Sequence, residues 1–129
     1  MEVALSDVEG IRKTLARFCQ YLDERRWEEF TRLFTDDGTF LQCVGRDAIL
    51  AWTKSCPLAV RPELSRKHTA PNSVIEVTGD SAHVVSDMVY FDRIGDGPWT
   101  VGGIGKYWDR LERRENEWLF TDRQTKRQN

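Results

Sequence analysis

The sequence is poor in the residues that build disulfide frameworks or metal sites. Its 129 residues include only three cysteines and two histidines. Cys19, Cys43 and Cys56 are odd in number and lack C-x-x-C spacing, so they predict neither a set of disulfides nor structural zinc. This composition indicates a reduced, cytoplasmic protein without a metal.

Further absences exclude whole classes of function. The chain has no apolar run of about eighteen residues and no basic-then-apolar start, which argues against a membrane span and a secretory signal. Lys+Arg 19 against Asp+Glu 21 leaves a net charge of −2, so no positive field is available to hold a phosphate backbone. The glycine-rich nucleotide loops, the G-x-S-x-G elbow and the H-E-x-x-H motif are also missing. We therefore expect no cofactor, no nucleic acid and no membrane partner.

The first half of the chain has the pattern of helices. Ser6 and Glu9 form a capping-box pattern, which predicts that a helix begins there. Apolar residues then recur at three- and four-residue spacing along about five turns: Val8, Ile11, Leu15, Phe18 and Leu22. A shorter helix is predicted from Trp27 to Phe34, before the breaker cluster 35–38. A strand over 39–44, a short helix over 48–54 and a loop over 56–63 follow.

The second half has the pattern of strands separated by turns. Four long strands are predicted, at about 66–77, 82–93, 100–113 and 118–124. Strands in sequence joined by short turns form an antiparallel meander, and helices followed by strands give an α+β class. We expect one domain over 1–129, with 125–129 as a frayed tail.

Two features of these strands predict more than a flat sheet with one buried face. Bulky apolar residues occupy both alternating faces, so we expect a homodimer through the outer face and an apolar pocket against the inner one. Gly102, Gly103 and Gly105 within one strand indicate sharp curvature or a bulge.

His68 and Asp23 are the candidate catalytic residues. Strict alternation places His68 on the same strand face as Val74 and Glu76, whereas a bulge near Pro71 would turn it to the inner face. An inward histidine can also be an ordinary core residue. Asp23 follows the apolar stripe on its flank and can face either solvent or a cavity. An aspartate buried beside a histidine would fix the imidazole tautomer and make it a base at neutral pH.

The order and spacing of short motifs resemble the SnoaL-like branch of the nuclear transport factor 2-like superfamily. The motifs are Tyr21-Leu22-Asp23 with Trp27, Phe34 to Phe40, Gly45, Arg66-Lys67-His68 with Asn72, Gly79 to Ala82, and Gly103 to Tyr107 leading to Glu117-Trp118. The resemblance implies a cone-shaped α+β domain, with N-terminal helices packed on a curved, mostly antiparallel sheet around an apolar pocket. It also implies a homodimer.

The same resemblance implies roles for the two candidates. Asp23 and His68 match the dyad with which dehydratase and dehydrochlorinase members of the superfamily remove a proton. Phe18 stands where the dehydrochlorinase has a lysine, and Leu22 stands where scytalone dehydratase has a tyrosine. The family therefore indicates the fold more closely than the substrate.

Strand phase and the resemblance together nominate a set of residues that line the pocket. They are Trp27, Phe40, Trp52, Met88, Tyr90, Phe120 and Arg123. An inward Tyr90 would donate a hydrogen bond to a carbonyl oxygen that gains charge, and an inward Arg123 would hold a carboxylate or oxyanion. For the apolar members, core packing is the alternative.

The sequence thus predicts a cofactor-independent lyase or isomerase that resembles the dehydratases. Its Asp23–His68 dyad would abstract a proton from an apolar, cyclic or polycyclic small molecule. One alternative is a noncatalytic domain that binds a small molecule or dimerises. Another is a hydrolase in which the same pair activates water.

Overall fold

The computed structural model describes residues 6–128, which form helices and one large sheet. The helices are α1 (Asp7–Asp23), α2 (Trp27–Thr31), α3 (Arg46–Thr53) and α4 (Pro57–Val60). The strands are β1 (Phe34–Phe40), β2 (Cys43–Val44), β3 (Leu64–Thr69), β4 (Ser73–Thr78), β5 (Ser81–Ile94), β6 (Thr100–Arg114) and β7 (Glu117–Gln128).

The sheet has the strand order β2-β1-β7-β6-β5-β3, and β4 pairs with β5 next to β3. Its pairs are antiparallel except for β1 with β7. α1 packs against β3 and β7, so the helices cover one face of a curved, unclosed sheet. The predicted α+β class and the mostly antiparallel sheet are confirmed.

α1 forms where its cap and its apolar spacing predict it. Ser6 Oγ accepts a hydrogen bond from the Glu9 N–H at 3.2 Å, which satisfies one of the free donors of the first turn. The predicted stripe is buried from Ile11 to Leu22, but its first member, Val8, remains 37% exposed. The helix therefore presents its apolar side to the core along all but the first turn.

The region after α2 differs from the prediction. The helix predicted to reach Phe34 ends at Thr31, and the expected breaker cluster 35–38 lies inside β1. The backbone of β1 pairs in parallel with β7, a long-range contact that local propensity does not encode. The strand predicted over 39–44 is a hairpin, because Leu41 has a positive φ of 55° and Cys43 turns back onto Phe40.

Three later predictions also need correction. The segment predicted as one strand from Arg66 is two strands, β3 and β4, and the residues between them, 70–72, leave the sheet. The predicted loop 56–63 contains α4, whose first residue Pro57 suits a helix start. The tail predicted to fray from Thr125 belongs to β7, where Gln128 pairs with Ile104. Asn129 lies outside the described residues.

The glycines of β6 form the predicted bulge. Tyr90 pairs with Gly103 and Phe91 pairs with Val101, so Gly102 has no partner on β5. A Cβ atom on Gly103 would lie 2.4 Å from the Tyr90 ring. The ring of Tyr90 therefore rests directly on glycine backbone.

Candidate functional site

Asp23 and His68 meet between the end of α1 and strand β3. The Oδ1 atom of Asp23 lies 2.6 Å from His68 Nδ1, and Oδ2 accepts a hydrogen bond from the His68 backbone N–H at 2.8 Å. The Asp23 and His68 side chains are 7% and 10% exposed. One carboxylate thus holds both the ring and the strand that carries it.

Arg25 fastens the end of α1 beside this pair. It adopts a positive φ of 59°, and its guanidinium donates hydrogen bonds to Leu58 O at 2.9 Å and Leu64 O at 2.6 Å. These bonds connect the residues after α1 to α4 and to the start of β3. The position of Asp23 relative to β3 is therefore set by several contacts.

The contacts of Asp23 leave one nitrogen of the His68 ring without a partner among the described residues. A carboxylate oxygen accepts hydrogen bonds, so the contact with Asp23 Oδ1 favours the tautomer that carries its proton on Nδ1 and leaves Nε2 without one. No described residue makes a hydrogen bond with Nε2. Nε2 is therefore the ring atom of His68 that stays available for other contacts.

His68 borders an apolar cavity of about 210 Å³. Its apolar lining comes from α1, α3, α4 and the inner face of the sheet: Phe18, Leu22, Phe40, Leu41, Trp52, Cys56, Pro57, Leu58, Met88, Tyr90 and Tyr107. Four predicted pocket residues are in this set, namely Phe40, Trp52, Met88 and Tyr90. The ring centroid of Tyr90 lies 5.4 Å from that of His68.

Three residues predicted to line the pocket lie elsewhere. Trp27 is half-buried and packs on the outside of the core, and Phe120 is fully buried in it. Arg123 is also fully buried, with Nε 2.9 Å from Asp109 Oδ1 and its Cζ 3.6 Å from the centroid of the Tyr107 ring. Arg123 points inward as predicted, but the rings of Tyr107 and Phe18 enclose it, so it does not reach a ligand as we expected.

Burial dominates the electrostatics of this internal ion pair. It raises the pKa of Asp109 to about 6, because desolvation of the carboxylate outweighs the opposing effect of the Arg123 charge. Among the described residues, Arg123 Nη1 has no hydrogen-bond partner. Arg123 packs against Phe18 and Tyr107, which line the cavity, so the ion pair lies behind the cavity wall.

Sequence reasoning missed two arginines that border the cavity, Arg66 and Arg127. Arg66 precedes His68 by two residues, so the alternation of a strand could have placed the two on the same face. Arg127 belongs to the segment that was predicted to fray. No local sequence signal indicates that this polar segment extends a strand.

A second cavity, of about 320 Å³, lies on another side of His68, between α1 and the segment from β3 to β4. It is lined by Arg12, Leu15, Ala16, Cys19, Gln20, Thr69, Ala70, Pro71 and Ser73 together with His68. Burial raises the pKa of the Cys19 thiol to about 11, so this thiol is protonated and unreactive at neutral pH.

Other features of the described residues limit the chemistry. Cys19, Cys43 and Cys56 are free thiols. Residues 6–128 contain no cluster of histidine, cysteine and acidic side chains that is arranged to hold a metal ion. Within the same range, no helix has the length and apolar character needed to cross a membrane.

A curved sheet with helices packed on one face, enclosing an apolar cavity, defines the class of nuclear transport factor 2-like α+β domains. Residues 3–124 match the model of the SnoaL-like domain. The chain belongs to this family, as the resemblance of its motifs predicts. No curated protein matches the sequence.

Solved structures from several bacteria share the fold. ActVI-ORFA from Streptomyces coelicolor is 18% identical with a TM-score of 0.85, over 97% of this chain and 98% of that one. A candidate scytalone dehydratase from Novosphingobium aromaticivorans is 21% identical with a TM-score of 0.80, over 95% and 85% of the two chains. A protein from Catenulispora acidiphila, in complex with S-DNPA, is 24% identical with a TM-score of 0.81, over 92% and 90%.

Proposed function

We propose that this protein is a cofactor-independent lyase or isomerase, dehydratase-like in its chemistry, that acts on an apolar, cyclic small molecule. His68 is the base and Asp23 orients it. The observation that carries the proposal is the 2.6 Å contact between Asp23 Oδ1 and His68 Nδ1 at the wall of an apolar cavity. The names of the scytalone dehydratase and ligand-bound structures support small-molecule chemistry in this fold.

The reaction begins with transfer of a proton from a substrate carbon to His68 Nε2. Asp23 then stabilises the imidazolium, since its carboxylate accepts the Nδ1–H bond in both protonation states of the ring. In a dehydration, the C–H electron pair forms the double bond, and the departing hydroxyl leaves as water with the proton returned by His68. In an isomerisation, the same proton returns to another carbon. Base catalysis of this kind accelerates a reaction by about 10²- to 10⁴-fold.

Tyr90 is the candidate for stabilising charge on the substrate. Its ring lies beside His68 and lines the cavity, and no described residue forms a hydrogen bond with its hydroxyl. A hydroxyl donor next to a carbonyl oxygen stabilises the enolate that forms as the adjacent carbon loses its proton. Tyr90 therefore complements the base from the neighbouring strand.

The test compares His68→Ala with the wild-type protein against a panel of cyclic ketones and hydroxyketones in deuterated water. We expect the wild type to exchange or eliminate at a substrate carbon, and His68→Ala to lose about 10²-fold or more of that rate. His83→Ala is the matched control, because His83 is exposed on β5. Equal turnover in His68→Ala and wild type would remove His68 from the mechanism. Ligand binding without turnover in either protein would make the domain a noncatalytic binding module.

We further propose a homodimer in a reducing, cytoplasmic environment. The outer face of the sheet carries exposed apolar residues, including Val85 and Trp108, which a second copy would cover. The three free thiols support a reducing compartment.

A further inference from the structure

The charged residues that border the cavity are all cationic or basic. Besides His68, the part of the lining that belongs to residues 6–128 contains two guanidinium groups, those of Arg66 and Arg127, and no carboxylate. An apolar cavity strengthens electrostatic interactions because little water screens them. The charge balance at this wall therefore affects which ligands the cavity accepts.

Arg66 is already neutralised by a partner outside the cavity. Its Nε and Nη2 donate hydrogen bonds to the two carboxylate oxygens of Asp92, at 2.7 and 3.0 Å. The Arg66 and Asp92 side chains are only 16% and 23% exposed, which keeps this two-bond pair in place. Arg66 contributes a flat surface over the Tyr90 ring, with Cζ 4.3 Å from the centroid, but little net charge.

Among residues 6–128, Arg127 has no such partner. Within that range, its one side-chain hydrogen bond is donated by Nη2 to the Gly102 carbonyl oxygen at 3.3 Å. No carboxylate of the described residues forms an ion pair with it. Arg127 is exposed while still lining the cavity, which places its uncompensated charge at the mouth.

Arg127 and the base border the same ligand space. The Arg127 Cζ lies 5.5 Å from the centroid of the Tyr90 ring, and the His68 ring lies 5.4 Å from it. A guanidinium is a planar donor that matches the two oxygens of a carboxylate. A ligand with its ring in the apolar interior can thus place an anionic group at Arg127 while a carbon lies near His68.

We infer that the cavity selects anionic substrates: apolar ring systems that carry a carboxylate or an equivalent acidic group, bound at the mouth by Arg127. This inference rests on the proposed function, because it names the substrate class for the same cavity. Arg127 is assigned here to substrate selection, and the proton transfer stays with His68.

The test uses two probes of nearly the same size, naphthalene-2-carboxylate and naphthalene-2-carboxamide. Their dissociation constants for the full chain are measured by isothermal titration calorimetry at low and high salt. We expect the wild type to bind the carboxylate about tenfold more tightly than the amide, and high salt to reduce this preference. Arg127→Gln should bind the two probes with equal affinity, and Arg127→Lys should retain part of the preference.

Arg110→Gln is the matched control, because Arg110 is an exposed arginine of β6 away from the cavity and its loss changes the net charge equally. Equal affinity of wild type for both probes would overturn the inference, as would a preference that survives Arg127→Gln. Lack of saturable binding of either probe would also overturn it. The proton-exchange assay on His68→Ala does not depend on these binding measurements. Failure of this inference can therefore be distinguished from failure of the proposed function.

Discussion

The two carboxylate oxygens of Asp23 bind different parts of His68. Oδ2 binds the backbone N–H of His68, so the strand is held directly, and Oδ1 binds the ring. The imidazole is therefore fixed both through its main chain and through Nδ1. This arrangement leaves the ring little freedom to rotate.

At the residue scale, we predict that Asp23→Asn inactivates the site while the fold survives. An asparagine can still accept the His68 N–H, but its NH₂ group then faces Nδ1 and favours the tautomer with the proton on Nε2. The base is lost, so turnover should fall by about 10²- to 10⁴-fold.

Nitrogen NMR of the imidazole measures the tautomer directly, without a substrate. Glu24→Gln is the control, because Glu24 is exposed at the next position. An unchanged tautomer in Asp23→Asn would show that Asp23 does not orient the ring.

At the scale of secondary structure, the bulge in β6 shapes the cavity. Gly102 has no partner on β5, and the absence of a side chain on Gly103 lets the Tyr90 ring rest on the backbone. A larger residue at 103 would displace this ring, which lines the cavity. The glycines therefore set how closely the Tyr90 ring packs on the sheet.

Gly103→Ala should consequently affect both stability and binding. Because its Cβ would lie 2.4 Å from the ring of Tyr90, we expect the free energy of unfolding to fall by about 1–3 kcal/mol and the affinity for naphthalene-2-carboxamide to decrease.

Urea unfolding and titration calorimetry measure the two effects. Gly79→Ala is the control: Gly79 has a φ of +60° in open space, so alanine there costs about 1 kcal/mol but leaves the cavity unchanged. Unaltered probe binding in Gly103→Ala would contradict the role given to this contact.

The helices and strands also show which features could be predicted from the sequence and which could not. α1 was predictable because its cap and its apolar spacing are local, and Met88 and Tyr90 were predictable because strand alternation places both on the inner face of β5. The phase of His68 was not, since residues 70–72 leave the sheet and separate β3 from β4. Only the resemblance to the family predicted that His68 and Asp23 form a pair. Arg127 escaped prediction because backbone pairing with β6, not an apolar pattern, extends β7.

At the scale of the whole molecule, the outer face of the sheet carries a row of exposed apolar residues. Val74 of β4 pairs with Val85 of β5, and Val85 pairs with Trp108 of β6. Their exposures are 67%, 39% and 41%, so the row crosses three adjacent strands without cover in the single chain. Contiguous apolar surface of this kind is typical of an interface.

Trp108→Glu should therefore convert a wild-type dimer to a monomer, because it places a charge in the middle of that row. Sedimentation velocity over a range of protein concentrations measures the change. Trp99→Glu is the control, since Trp99 is 45% exposed in the turn between β5 and β6, outside the row. A wild-type protein that sediments as a monomer at every concentration would exclude this interface.

The contacts of Arg25 with α4 and β3 bear on how ligand preference can change within such a domain. The polar bonds that position His68 lie where α1 meets β3 and α4, whereas the cavity is lined by side chains from many separate segments. Changes in those contributing side chains can remodel ligand preference one at a time while these polar bonds stay intact. Such a domain can therefore acquire a new ligand preference while the contact between Asp23 and His68 is kept.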